Sequence, residues 1–241
     1  MLKHLLSFLV ALAFCINSPC AAQWTLGGYF GGAHTQASPL DLRQPFIGNN
    51  LRFHEISYRG ESFQPPLYYG FRAGYFFREH WDVESEFTHL KVFANVDQPA
   101  TITGVLNGSP ISSNLPVNAI MQRFSLSHGV NLLMINGVFR HPLAQAVDAK
   151  HARCYATLRF GAGATIPHVE STIQDLTDEH YQVGRPAIQA AGGLDVRTWR
   201  RLYWMAEYKF TRVREQVDVK FGTVTTLLQS HHLVTGPVFH F

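Results

Sequence analysis

The stretch Tyr68-Tyr69-Gly70-Phe71-Arg72-Ala73-Gly74-Tyr75-Phe76-Phe77 decides the fold. Read at a period of two, Tyr69, Phe71, Ala73, Tyr75 and Phe77 share one face, and Tyr68, Gly70, Arg72, Gly74 and Phe76 share the other. Alternate side chains of a strand point to opposite faces, so the pattern predicts a strand with an apolar exterior and Arg72 with the small glycines inside. An arginine turned to lipid at mid-membrane costs about 2–4 kcal/mol, which fixes the direction of Arg72. Cys154, Ala156, Leu158, Phe160, Ala162, Ala164 and Ile166 give a second apolar face, opposite Thr157, Arg159, Gly161, Gly163 and Thr165. Leu202, Trp204, Ala206, Tyr208 and Phe210 likewise oppose Tyr203, Met205, Glu207 and Lys209.

Working outward, strand-like segments fall at 24–34, 68–77, 81–93, 125–140, 154–166, 182–198, 202–210 and 231–241, with Asp82, Glu84 and Glu86 on one parity of the third. Eight is an even number, as a single-chain bacterial barrel requires. Connections near 78–81 and 198–201 are tight and polar and the turn near 141–150 is somewhat longer, whereas the connections near 35–66, 95–122, 168–181 and 212–228 are long. Short inner turns alternating with longer outer loops are the habit of outer-membrane barrels. The expected fold is therefore all-β: an eight-stranded antiparallel transmembrane β-barrel of the bacterial outer membrane, with long external loops. Phe241, on one parity with Phe239 and Leu233, resembles the terminal aromatic of such barrels.

Residues 1–22 carry Lys3, an apolar run over 5–14 broken only by Ser7, and the small-residue end Cys20-Ala21-Ala22. This is the layout of a cleaved signal peptide, and its apolar core of about ten residues is half the length of a membrane-spanning helix. A single domain over 23–241 is expected to remain, with Cys154 its one cysteine and no internal disulfide. Strands can cross lipid on alternating sequence, so a mean hydropathy of -0.04 is compatible with a membrane protein. A net charge of +3 and the absence of a basic and aromatic pattern argue against a nucleic-acid partner. A monomer is expected.

Several of the 13 histidines fall where strands should emerge on the outer side, namely His54, His89, His128 and His168. Strands three, four and five of a meander are neighbours, so His89, His128 and His168 could meet near one rim. With a carboxylate such as Glu170 or Glu55 they would suit a divalent transition metal. The bland reading of each histidine alone is an interfacial or loop residue. Ser127 and His128 also raise a serine hydrolase, but adjacent residues on an extended strand face opposite ways, which leaves His89 with Ser127 as the conceivable pair.

The runs Tyr58-Arg59-Gly60-Glu61-Ser62-Phe63-Gln64-Pro65-Pro66-Leu67-Tyr68-Tyr69-Gly70-Phe71-Arg72 and Glu86-Phe87-Thr88-His89-Leu90-Lys91-Val92-Phe93-Ala94 resemble the outer-membrane lipid A oxidase family. Phe124, Ser127-His128-Gly129-Val130-Asn131, Pro167-His168-Val169-Glu170 and Glu207-Tyr208-Lys209 continue the similarity in order. Leu90 and Phe93 depart from it, standing where a polar residue and a tyrosine are expected. The resemblance implies oxidation of the proximal glucosamine of lipid A to an aminogluconate unit, with dioxygen and a divalent metal ion of unspecified identity. On the matching positions, His89, His128 and His168 become candidate metal ligands, Glu170 a carboxylate ligand or base acting with His128, and Arg59 and Lys91 candidate contacts to lipid phosphate. The expected partners are lipid A, or lipopolysaccharide, and the outer membrane. The other reading is a non-catalytic structural or adhesive surface barrel, in which Arg52, Arg59, Arg212, Arg214 and Lys220 merely touch anionic lipopolysaccharide.

Overall fold

A computed structural model describes residues 23–143 and 152–241; the expected signal peptide at 1–22 and most of the turn expected at 141–150 lie outside the described residues. In chain order the strands are β1 (Gln23–Thr35), β2 (Ser38–Gln44), β3 (Asn49–Ile56), β4 (Tyr58–Arg59), β5 (Tyr69–Arg78), β6 (Trp81–His89), β7 (Val92–Ala94), β8 (Pro99–Leu106) and β9 (Ser109–Pro116). They continue as β10 (Met121–Leu126), β11 (Leu132–Pro142), β12 (Cys154–Thr165), β13 (His168–Ile173), β14 (Leu176–Tyr181), β15 (Pro186–Trp199), β16 (Leu202–Val219) and β17 (Gly222–His240).

Eight of them, β1-β5-β6-β11-β12-β15-β16-β17, pair antiparallel with their neighbours, and β17 returns to β1 through pairs such as Thr25 with His240 and Phe30 with Thr235. Closure leaves the ring with no edge, so its backbone groups are satisfied without water. The outward faces carry Phe71, Leu158, Phe160, Trp204 and Tyr208, all exposed, with Tyr75 half-buried. Arg72, Glu84, Glu86, Arg159, Glu207 and Lys209 all point inward and are buried. Three cations and three anions balance there. Arg72 bridges Glu86 at 3.0 Å and also Glu207, Arg159 reaches Glu207 at 2.6 Å and Glu84 at 3.2 Å, and Lys209 pairs with Glu86. Just below, a pocket of about 20 Å³ between Arg72, Arg159, Asp82 and Asp195 has room for a water.

Four segments depart from the sequence reading. The strand expected over 125–140 is two, because Gly129 at φ 104° and Asn131 at φ 49° break it between β10 and β11. The strand expected over 81–93 stops at His89, and the one expected from 182 begins at Pro186. The loop expected near 212–228 is the upper half of a hairpin of 18- and 19-residue strands, β16 and β17. About ten tilted residues cross a bilayer, so these two strands stand well clear of it.

The change of medium is written in β16. Below, Glu207 and Lys209 face in while Trp204 and Tyr208 face out; above, Val213 and Val217 face in while Arg212 and Arg214 face out. The inward valines pack into a head built from what the sequence suggested were loops. On one side β17 extends through β2, β3, β8 and β9, and a second sheet runs β14-β13-β10-β7-β4. Leu40, Leu42, Leu51, Phe53, Ile102, Met121, Leu126 and Val224 fill the space within the head, each no more than 2% exposed. Asn107 and Gly108, at φ 50° and 78°, turn β8 into β9, the conformation of a type I′ hairpin.

Candidate functional site

The break that separates β10 from β11 also builds the site. Gly129 lies so close to its neighbours that a Cβ there would meet His89 Nδ1 and Asn131 Oδ1, each at 2.5 Å. The turn is pinned on both sides: Val130 N–H donates to the Leu90 carbonyl at 2.6 Å, and His168 N–H donates to the Gly129 carbonyl at 3.1 Å. It thereby holds His128 against the start of β13.

His168 and Glu170 are two apart on β13 and share a face. His128 Nδ1 lies 3.1 Å from His168 Nδ1 and 3.4 Å from Glu170 Oε1, and His168 Nδ1 lies 3.7 Å from the same Oε1. Three donor atoms thus form a nearly regular triangle. A tetrahedral ion with bonds of about 2.0–2.2 Å sets its ligand atoms about 3.3–3.6 Å apart, so the triangle fits a first-row divalent ion. Two imidazoles and one carboxylate are also the donor set of non-haem iron(II) oxygenases.

Neighbours orient this set. His168 Nε2 stands 3.4 Å from Glu179 Oε1, which favours the proton on that nitrogen and frees Nδ1 for the cluster. Burial first, and then the nearby His128, hold the His168 imidazole below its ordinary pKa, in the neutral ligating form. Arg123 pairs with Glu170 Oε2, and the Ser127 hydroxyl donates to Oε1. The Tyr181 ring covers His168 at 4.3 Å between centroids, while the His128 side chain is 55% exposed, so a substrate can approach from that side.

His89 stands apart from the triangle. Its Nδ1 is 2.9 Å from Asn131 Oδ1, its ring stacks on Tyr69, and its Nε2 is buried without a hydrogen-bond partner. Glu55 lies exposed on β3, away from the centre. Arg59 and Lys91 converge on Phe93, with the Arg59 guanidinium 5.3 Å and the Lys91 ammonium 5.9 Å from the ring centre. Arg59 is exposed and paired with Glu61; Lys91 is buried and donates to the Gln64 carbonyl at 2.8 Å. One row of the second sheet runs Arg59, Phe93, Ser125, Glu170, Glu179, so exposed Arg59 shares a face with the cluster three strands away, roughly 14 Å at strand spacing.

The expectation that Ser127 and His128 face apart is overturned, since they occupy a turn and Ser127 Oγ lies 3.2 Å from His128 Nδ1. That proximity does not make a relay. A relay needs the two ring nitrogens to face serine and carboxylate separately, whereas here Nδ1 faces both. Arg123 and Glu179 escaped the sequence reading, because what links them to the cluster is cross-strand pairing in or beside segments expected as loops, and the contact of Asn131 to His89 follows from the turn at Gly129.

No protein-family model and no curated protein sequence matches this chain. Solved structures match it in fold: the outer membrane protein OprG from Pseudomonas aeruginosa aligns over 92% of this chain and 96% of its own, at 9% identity and a TM-score of 0.51. Neisserial surface protein A aligns over 92% and 99% at 11% identity and a TM-score of 0.41. The outer membrane protease OmpT from Escherichia coli aligns over 93% and 98% at 7% identity and a TM-score of 0.39. This chain has the fold of a bacterial outer-membrane β-barrel. The likeness is one of architecture, and what lies on the head of this barrel has to be read from its own residues.

Proposed function

We propose that this outer-membrane barrel is an oxidase acting on lipid A, with a divalent metal held by His128, His168 and Glu170. The observation that carries the reading is the convergence of two imidazoles and a carboxylate in the head, at the turn that leads into the membrane-spanning strand β11. The bound ion would supply the electron transfer to dioxygen. The chain's own residues do the rest: Arg123 and Ser127 orient the carboxylate, Glu179 sets the His168 tautomer, and Arg59 on the same sheet face is placed to contact a lipid phosphate. His89 supports the turn through Asn131, and Lys91 braces Phe93. Reaction at the proximal glucosamine, and its product aminogluconate unit, follow the family resemblance of the two runs around Arg59 and His89.

An oxygen electrode tests this with purified protein loaded anaerobically with iron(II). Oxygen uptake that starts only when lipid A is added supports the oxidase; no uptake, or uptake indifferent to lipid A, contradicts it. One observation favours a non-catalytic surface role instead. Phe46, 91% exposed, and Phe221, 50% exposed, form an aromatic pair 6.5 Å apart at the outer tip of the head, where a partner on another surface could dock.

A further inference from the structure

We propose that the outward groove beside Arg212 and Arg214 is a second lipid site, which holds a phosphorylated lipid of the outer leaflet by its headgroup. This goes beyond the oxidase reading and does not depend on it.

The groove encloses about 490 Å³ and is lined by Pro39, Arg52, Ile188, Arg212, Arg214 and Leu227 among others, sharing no residue with the His128 cluster. Its lining comes from β15, β16, β17, β2 and β3, whereas the cluster sits on β13 and on the turn into β11. The outward column of β16 reads Trp204, Ala206, Tyr208, Phe210, Arg212, Arg214, so apolar side chains give way to two arginines within one strand repeat. That switch places the guanidiniums at headgroup level. Ile188 stands opposite Arg212 and Leu227 opposite Arg214, and Thr225, Asp41 and Arg52 continue the next row. Ile188 is 57% exposed and belongs to the lipid-facing surface, so the groove sets apolar side chains directly beside its basic ones.

Charge complementarity names the occupant. Three arginines against one aspartate leave a lip of net charge +2 (3 − 1), and Arg52 alone of the three is paired, to Asp41 at 3.3 Å. Among the described residues Arg212 and Arg214 form no ion pair. Two exposed guanidiniums two residues apart on a strand, about 6.7 Å at strand rise, can grip a phosphate from both sides, and the planar fork matches phosphate oxygens. A free anion would gain nothing from Ile188 and Leu227; a lipid uses both halves.

The test uses the full chain in detergent, with native mass spectrometry as readout. The probes are diphosphorylated lipid A, its fully dephosphorylated counterpart and inorganic phosphate. The proposal expects the diphosphorylated lipid to bind the native chain, and the Arg212→Gln/Arg214→Gln chain to bind it at least about tenfold more weakly, the weight of one charge-assisted contact. Arg52→Gln, on a different strand, should weaken binding in the same direction, and heat-modifiable migration should confirm that each variant is folded. Equal binding of the dephosphorylated lipid, or undiminished binding by the folded variants, would overturn the proposal. Inorganic phosphate held as tightly as the lipid would overturn the commitment to a lipid. Arg200→Gln, which removes an exposed arginine from the turn between β15 and β16 at the other end of the barrel, should retain the lipid as the native chain does.

Discussion

At the scale of single residues, Gly129 decides whether His128 can reach His168. Its φ of 104° and the 2.5 Å approach of His89 Nδ1 leave no room for a side chain. Gly129→Ala should therefore displace the turn and reduce iron(II) bound per chain, measured by elemental analysis, with the heat-modifiable migration of the barrel unchanged. His168→Ala should cut ion affinity by about tenfold or more, as loss of even the supporting residues of a metal site does; an affinity equal to the native one would remove His168 from the ligand set. The histidines and Glu170 were legible in the sequence as polar residues at expected strand ends. Their meeting was half legible: strand order brings His128 toward His168, but His89 belongs to the far side of Asn131, because its ring is taken up by Tyr69 and the Asn131 amide. Ser127 misled, since an extended strand was expected where Gly129 makes a turn.

At the scale of elements, the parity of 68–77, 154–166 and 202–210 made the barrel legible, because lipid outside and ion pairs inside leave opposite signatures on alternate residues. The same rule hid the head. In β2 and β3 the inward residues Leu40, Leu42, Leu51 and Phe53 bury against other strands while Asp41 and Arg52 face out, so no lipid face exists to be recognised. Asn107-Gly108 is a hairpin turn inside the long connection expected near 95–122. Two predictions separate the layers. Glu207→Ala would leave Arg72 and Arg159 short of a shared partner inside the barrel, at a cost of about 3–5 kcal/mol. Urea unfolding of the reconstituted barrel should show that loss, and an unchanged midpoint would contradict the network. Phe53→Ala, at a position with no exposed surface, should cost about 3–5 kcal/mol within the head. Limited proteolysis of intact cells should then cut the head while the membrane-spanning strands survive; a variant as resistant as the native chain would mean that the head has no core of its own.

At the scale of the whole molecule, an interior closed by a network of three cations and three anions carries a head with two separate features, the His128 centre and the Arg212 groove. The strands that cross lipid hold the position, the inversion at residues 211–212 marks where lipid ends, and the head presents chemistry at that level. Such a layout suits a protein that works on the lipid surrounding it, and it is poorly suited to conduct solutes through a filled barrel. The most direct measurement is mass spectrometry of lipid A from cells that make the native chain, the His128→Ala chain or neither, each grown with and without air. The account predicts a gain of one oxygen atom in lipid A with the native chain in air, absent without air and absent with His128→Ala although that chain still migrates as a folded barrel. Lipid A of unchanged mass in air, or an equal gain with His128→Ala, would contradict it.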